Sequence, residues 1–395
     1  MYWSFPELLA PARRKQRRGP VVALALALAV PVSPAAAQAV AELTVRGDLS
    51  YSPNPLLLPG DDRGAIQREV TVDTKLTVTG DDRSEITLRG TLSNRQYSRL
   101  YGGILFGEAR IDATYRDSEY LSFIGTGQLR RLPLIDRLTT SVDAGIDPRA
   151  VSNAVYARLA ARWNPNARTT ITPEFEAERT GYARSSLLDT TRSLRGAVAI
   201  ATRTGPSISI GARGGARFSK AGASSATTWF LDATLEKVLR DWKMNAELGV
   251  ERNSFQAGTA PGSSRARSAR LLIGGRASIC RDLERREICL RGGLFSEVSG
   301  LGGLQRRTFV NASLRQPIGG RVSVRLLGEF QHAGMGSSGL PATDSYRAAA
   351  ALEWTFLPNL TLGGTLEYIR RKLGFSDAID TVFTGVSLRF TPRLR

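Results

Sequence analysis

From residue 41 onward, apolar and polar residues alternate with a period of two, in runs of about ten broken by Gly, Pro, Asn and Ser. This pattern constrains the chain more than any other feature. Successive side chains of a strand point to opposite faces, so strict alternation gives each run one apolar and one polar face. In "SISIGARGGARFS", Ile208, Ile210, Ala212 and Phe218 share one face, and Ser209, Arg213 and Arg217 share the other. "RVSVRLLGEFQ" sets Val322, Val324, Leu326 and Phe330 against Arg321, Ser323, Arg325 and Glu329, with Leu327 as an exception. "YRAAAALEWTF" sets Tyr346, Leu352, Trp354 and Phe356 against Arg347, Glu353 and Thr355.

A soluble sandwich and a membrane barrel both accommodate many half-buried strands, and the connections separate them. Tight turns such as "NPNA", "RTGPS", "QPIGG" and "LPN" alternate with longer stretches such as "ARSSLLDTTR", "SKAGASSATT", "QAGTAPGSSRAR" and "HAGMGSSGLPATDS". Short turns at one end and long loops at the other are the habit of transmembrane barrels. Aromatic residues near the run ends, among them Trp163, Trp229, Trp242 and Trp354, suit interfacial girdles. The sequence therefore predicts an all-β, antiparallel up-and-down transmembrane barrel. Eighteen runs fit between 41–51 and 381–390, and sixteen strands is the alternative. "LTTSVDAGI" also alternates, but a strand there would invert the short–long order downstream. We therefore assign residues 131–154 to an outer loop, extended like a strand above the membrane.

The N-terminus indicates the compartment. Arg13, Arg14, Lys15, Arg17 and Arg18 precede an apolar stretch, Val21 to Val30, and then small residues around Ala37 and Ala39. This is the layout of a cleaved secretory signal, and the stretch is too short to span a bilayer as a helix. We expect residues 1–38 to be removed and 39–395 to form a single barrel domain. The charge is +18, from 54 Lys and Arg against 36 Asp and Glu. Export argues against nucleic acid as the target of that charge; anionic glycans, lipid headgroups and small anions remain.

Cys280 and Cys289 are the only cysteines, and they flank a charged turn. Both fall on the inward phase of neighbouring strands, where directly opposed Cα atoms come within disulfide range. The periplasm is oxidising, so a bridge stapling this hairpin is expected. Two ligands are too few for zinc, and we expect no metal and no cofactor.

No catalytic constellation stands out. His332 is the only histidine, and Glu174, Glu176 and Glu178 form an inward ladder that reads as a solvated wall. The inward phase is instead rich in arginine. Arg195, Arg203, Arg213, Arg217, Arg276, Arg291, Arg325 and Arg347 are the expected anion-lining residues, with residues 195 to 217 the stretch holding least acid. Such a lumen favours anion entry.

The chain resembles Gram-negative outer-membrane β-barrels over 41–390. More narrowly, "DLSYSPNPLLLPGDD", followed by a strand and a "GDDRS" turn, is similar to the opening of a barrel family encoded beside exopolysaccharide synthesis and export genes. That resemblance implies a role in secretion or surface attachment of a polysaccharide, with no catalytic residues to carry over. Together with the basic lumen, it leads us to expect a non-enzymatic pore or surface component for passage or organisation of an anionic or glycan substrate such as exopolysaccharide. A general diffusion porin is the first alternative and a barrel enzyme acting on lipid or protein the second. The implied partners are outer-membrane lipid and lipopolysaccharide, the barrel assembly machinery and polysaccharide export proteins. One departure is that "TPRLR" follows Phe390, where such barrels commonly end on an aromatic residue.

Overall fold

The computed structural model describes residues 38–60, 64–81, 83–99, 102–256, 267–283, 286–334, 342–374 and 376–392. Residues 1–37, which include most of the expected signal segment, and the loop residues 257–266 and 335–341 lie outside the described residues.

Eighteen strands run in chain order: β1 Gln38–Ser52, β2 Ala65–Asp81, β3 Ser84–Tyr97, β4 Gly103–Arg116, β5 Leu121–Pro133, β6 Val151–Trp163, β7 Thr169–Ala183, β8 Thr191–Gly205, β9 Ile208–Ala221, β10 Ser224–Leu239, β11 Trp242–Gln256, β12 Arg267–Leu283, β13 Arg286–Val298, β14 Leu304–Ile318, β15 Val322–Ala333, β16 Thr343–Leu357, β17 Leu360–Leu373 and β18 Ile379–Phe390. Each pairs antiparallel with its chain neighbours. β1 pairs with β2 along one edge and with β18 along the other, from Val45 opposite Phe390 to Tyr51 opposite Thr384. The ring of strands thus closes into a barrel, with the β12–β13 ladder running only from Gly275 opposite Leu294 to Leu283 opposite Arg286.

The two faces have opposite chemistry. Leu159, Leu248 and Leu271 point outward at 65%, 66% and 70% exposure, and Trp229, Leu231, Ile273 and Val386 join them. A continuous apolar exterior of this kind has no place in water, and it matches the lipid-facing band of an outer-membrane barrel. Charged and hydroxyl side chains line the inside. No helix among the described residues is long and apolar enough to cross a membrane.

Two expectations are corrected. The stretch "SKAGASSATT" is not a long loop, because β9 and β10 extend to Ala221 and Ser224 and meet in a tight turn. Gly222 makes that turn with a φ of +55°, a conformation glycine adopts without steric cost. The alternating small and β-branched residues there continue the ladder beyond the apolar belt. The second correction concerns 131–154. Its ends belong to β5 and β6, but 134–150 forms a short 3₁₀ turn, Leu134–Arg137, followed by successive turns rather than a strand. It folds into the barrel instead of standing above it.

Candidate functional site: a loop across an ion-paired bore

The loop 134–150 leaves the wall between β5 and β6. Its apolar residues explain why it turns inward. Leu134, Ile135, Leu138, Ala144 and Ala150 are buried and pack with Leu57, Leu188 and Ile369 from other loops and β17. Burying several aliphatic side chains stabilises the docked loop by about 1.5–3 kcal/mol for each one fully removed from water.

Its polar groups are tied to the opposite wall. Thr139 donates to Glu329 at 2.5 Å, and its carbonyl accepts from Arg307 at 3.0 Å. The Ser141 carbonyl accepts from Gln331 at 3.1 Å, and the Gly145 carbonyl accepts from Arg371 at 3.3 Å. These partners lie on β14, β15 and β17, and β14 and β15 are nine strands from β5 and β6 in a ring of eighteen. The loop therefore crosses a diameter of the bore. On one flank, Arg95 of β3 donates through Nε to Glu69 at 2.7 Å and through both Nη atoms to Asp136 at 2.9 and 3.0 Å. On the other, Asp143 accepts from Ser299 at 2.7 Å, from the Gly300 amide at 2.9 Å and from the Tyr182 hydroxyl. Burial pushes the Asp143 carboxyl above its usual range, and those three donors pull it partly back.

Two cavities flank the loop. One, of about 240 Å³, is lined by Arg137 and Asp143 of the loop with Tyr156, Glu176, Arg195 and Arg217 of the wall. The other, of about 220 Å³, lies against Asp136 and is lined by Arg46, Glu69, Arg95, Arg347 and Glu367.

The structure places the eight expected arginines in two groups. Five have carboxylate partners. Arg195 meets Glu176 at 3.3 Å, Arg276 meets Glu247 at 2.8 Å, Arg325 meets Glu353 at 3.1 Å, and Arg347 meets Glu367 at 2.8 Å. Arg213 pairs with Glu174. That pair spans from β9 to β7, and it can do so because the intervening inward residues of β8 are Ala197 and Ala199. Residues 195–217 themselves hold no acid, and the carboxylates that pair Arg195 and Arg213 come from the neighbouring β7 ladder. Arg203, Arg217 and Arg291 have no ion pair among the described residues; Arg217 reaches only the Ser296 carbonyl, at 3.5 Å.

The register adds a feature that the alternation hides. Arg46 stands directly opposite Arg389, Arg89 opposite Arg110, Arg195 opposite Arg217, and Arg315 opposite Arg325. Like charges in direct opposition destabilise a ladder. Arg46, Arg110, Arg195, Arg325 and Arg389 are compensated by carboxylates, whereas Arg89, Arg217 and Arg315 have no ion pair among the described residues.

Cys280 and Cys289 are bridged, with Cα atoms 4.1 Å apart in direct register. His332, on the outward phase of β15, donates through Nδ1 to the Asp344 carboxylate of β16 at 2.6 Å, and Thr308 of β14 faces it across the ladder. No hydrogen bond joins Thr308 to the ring among the described residues. No three His, Cys, Asp or Glu side chains converge as metal ligands among the described residues.

No protein-family model matches the chain, and no curated protein matches it in sequence. Among solved structures it is similar to OpdK of Pseudomonas aeruginosa with vanillate, at 11% identity over 90% of this chain and 99% of that one, with a TM-score of 0.45. It is also similar to OccK2 (OpdF) of the same organism in complex with glucuronate, at 11% identity and a TM-score of 0.46 over the same shares of the two chains. An anion-selective porin from Comamonas acidovorans aligns at 10% identity over 90% of this chain and all of that one, with a TM-score of 0.40.

Proposed function

We propose that this chain is a porin-like channel of the outer membrane that passes small polar solutes and favours anions, with the loop 134–150 as its constriction. The observation that carries the reading is the loop itself. A barrel serving only as a scaffold has no need of a segment tied across its interior by wall residues from five strands, β3, β7, β14, β15 and β17. Such a segment narrows a bore without removing it, and its flanks are polar.

The preference for anions rests on the opposed arginines. Arg89, Arg217 and Arg315 raise the local positive potential in places where wall stability alone would put a neutral side chain. Inward acids temper the field: Asp73, Glu85, Asp232, Glu236 and Glu287 also have no ion pair among the described residues. The selectivity expected is therefore a preference rather than an exclusion of cations. A narrowed bore fits small solutes better than a polysaccharide strand, and no geometric feature favours the exopolysaccharide role. The test is the reversal potential of the refolded mature protein in a planar bilayer under a salt gradient. An anion-favouring potential is expected, and a cation-favouring one would overturn the preference.

A further inference from the structure

The outward face carries a second charge pattern that passage through the bore does not explain. Near the outer ends of β7, β8 and β9, Arg179 stands directly opposite Arg192, and Arg192 directly opposite Lys220. All three are exposed. Each shares the parity of an outward apolar residue on its own strand, namely Phe175, Leu194 and Phe218. Leu194 and Phe218 are themselves opposed in the ladder. The cationic row therefore sits one pleat beyond the apolar belt, about 7 Å further along the strands. Trp229, also outward, faces Arg252 across β10 and β11 and extends the same border.

Three like charges in direct register are unfavourable for the sheet, and none of the three side chains has an ion pair or hydrogen bond among the described residues. Asp189, the acid of the β7–β8 loop, packs over Gly222 and does not bridge to the row. The row thus costs folding stability, and no ion pair among the described residues compensates for it. A ligand that neutralises it would.

We infer that Arg179, Arg192 and Lys220 bind the phosphate-bearing headgroup of a glycolipid in the outer leaflet. Guanidinium forks match phosphate oxygens in pairs, and an ammonium adds a third cation. A lipid whose acyl chains lie along Phe175, Leu194 and Phe218 brings its phosphate to the height of the row. Anionic lipid attracts basic side chains at this border, so attraction and burial act together. The site lies on the exterior, and its occupancy does not depend on whether the bore conducts.

The test uses the mature protein extracted in mild detergent and titrated by native mass spectrometry. The probes are lipid A with both phosphates, the same lipid A without phosphate, and phosphatidylglycerol. The wild type should prefer the phosphorylated lipid A to both others. The triple variant Arg179→Gln, Arg192→Gln, Lys220→Gln should bind it roughly 100-fold more weakly. Arg192→Gln alone should show a smaller loss and Arg192→Lys most of the wild-type binding, so the single variants carry the test if the triple variant fails to fold. A heat-dependent gel shift reports folding in each case. Equal binding of dephosphorylated lipid A, equal binding by folded Gln variants, or equal binding of phosphatidylglycerol would overturn the assignment.

Discussion

The outer and periplasmic halves of the bore are built from the same residue types and use them differently. In the outer half, Arg95 lies buried between Glu69 and Asp136, and Arg307 between Glu297 and the Thr139 carbonyl. In the periplasmic half, Arg89, Arg162, Arg203, Arg291 and Arg315 are exposed and have no ion pair among the described residues. A buried charge must be paired, because leaving it alone costs several kcal/mol, while an exposed one is solvated and contributes little whether paired or not. The outer arginines therefore hold a loop in place. The five unpaired periplasmic arginines tie down no such loop among the described residues.

This contrast predicts a descending series of effects. Arg95→Ala should be the most damaging, since it leaves Glu69 buried without its partner and frees Asp136; a loss of about 3–5 kcal/mol of loop docking is expected. Limited proteolysis within 134–150 and increased current noise would report it. Asp143→Ala comes next, because it strands the donors of Tyr182, Ser299 and Gly300, at about 3 kcal/mol. Asp143→Asn should keep most of the docking and remove its pH dependence. The sign follows from the carboxyl's raised position. The docked state binds the proton more tightly than the undocked state. Docking is thus strongest at or below the ordinary carboxylate range and weakens as pH rises from there through the raised value. Protease protection that strengthens with rising pH in the wild type would contradict this.

Reducing the Cys280–Cys289 bridge should cost about 2 kcal/mol, because the closed segment is short and the hairpin already constrains it. The urea midpoint should fall while unit conductance stays unchanged. The smallest effect on stability belongs to the periplasmic group. Arg89→Gln with Arg315→Gln should alter stability by less than about 0.5 kcal/mol. The same pair should move the reversal potential toward cations. A large stability loss there would erase the contrast between the halves.

Much of this was legible in the sequence for one physical reason: a lipid-facing wall forces the period of two onto every strand. Eighteen runs, the closing pair and the bridged cysteines all follow from that alternation. Residues 134–150 were harder to read because they alternate weakly and lie where a long outer loop belongs. The missed signal was apolar content: Leu134, Ile135, Leu138 and Val142 are too many aliphatic residues for a loop surrounded by water. The ion pairs were hidden for a different reason. Glu174 reaches Arg213 over an intervening strand, so their contact depends on register and on the small side chains between them, neither of which a single run displays. The opposed arginine pairs, likewise, become visible only once the ladder is aligned.

The most direct test of the account is the unit conductance of the refolded mature chain beside a variant in which 134–150 is replaced by a short turn joining β5 to β6. The account predicts discrete steps from the intact protein and steps several-fold larger from the variant, with the heat-dependent gel shift confirming that both barrels are folded. Steps of equal size would show that the loop does not set the constriction, and silence from both folded proteins would show that the bore is not a channel.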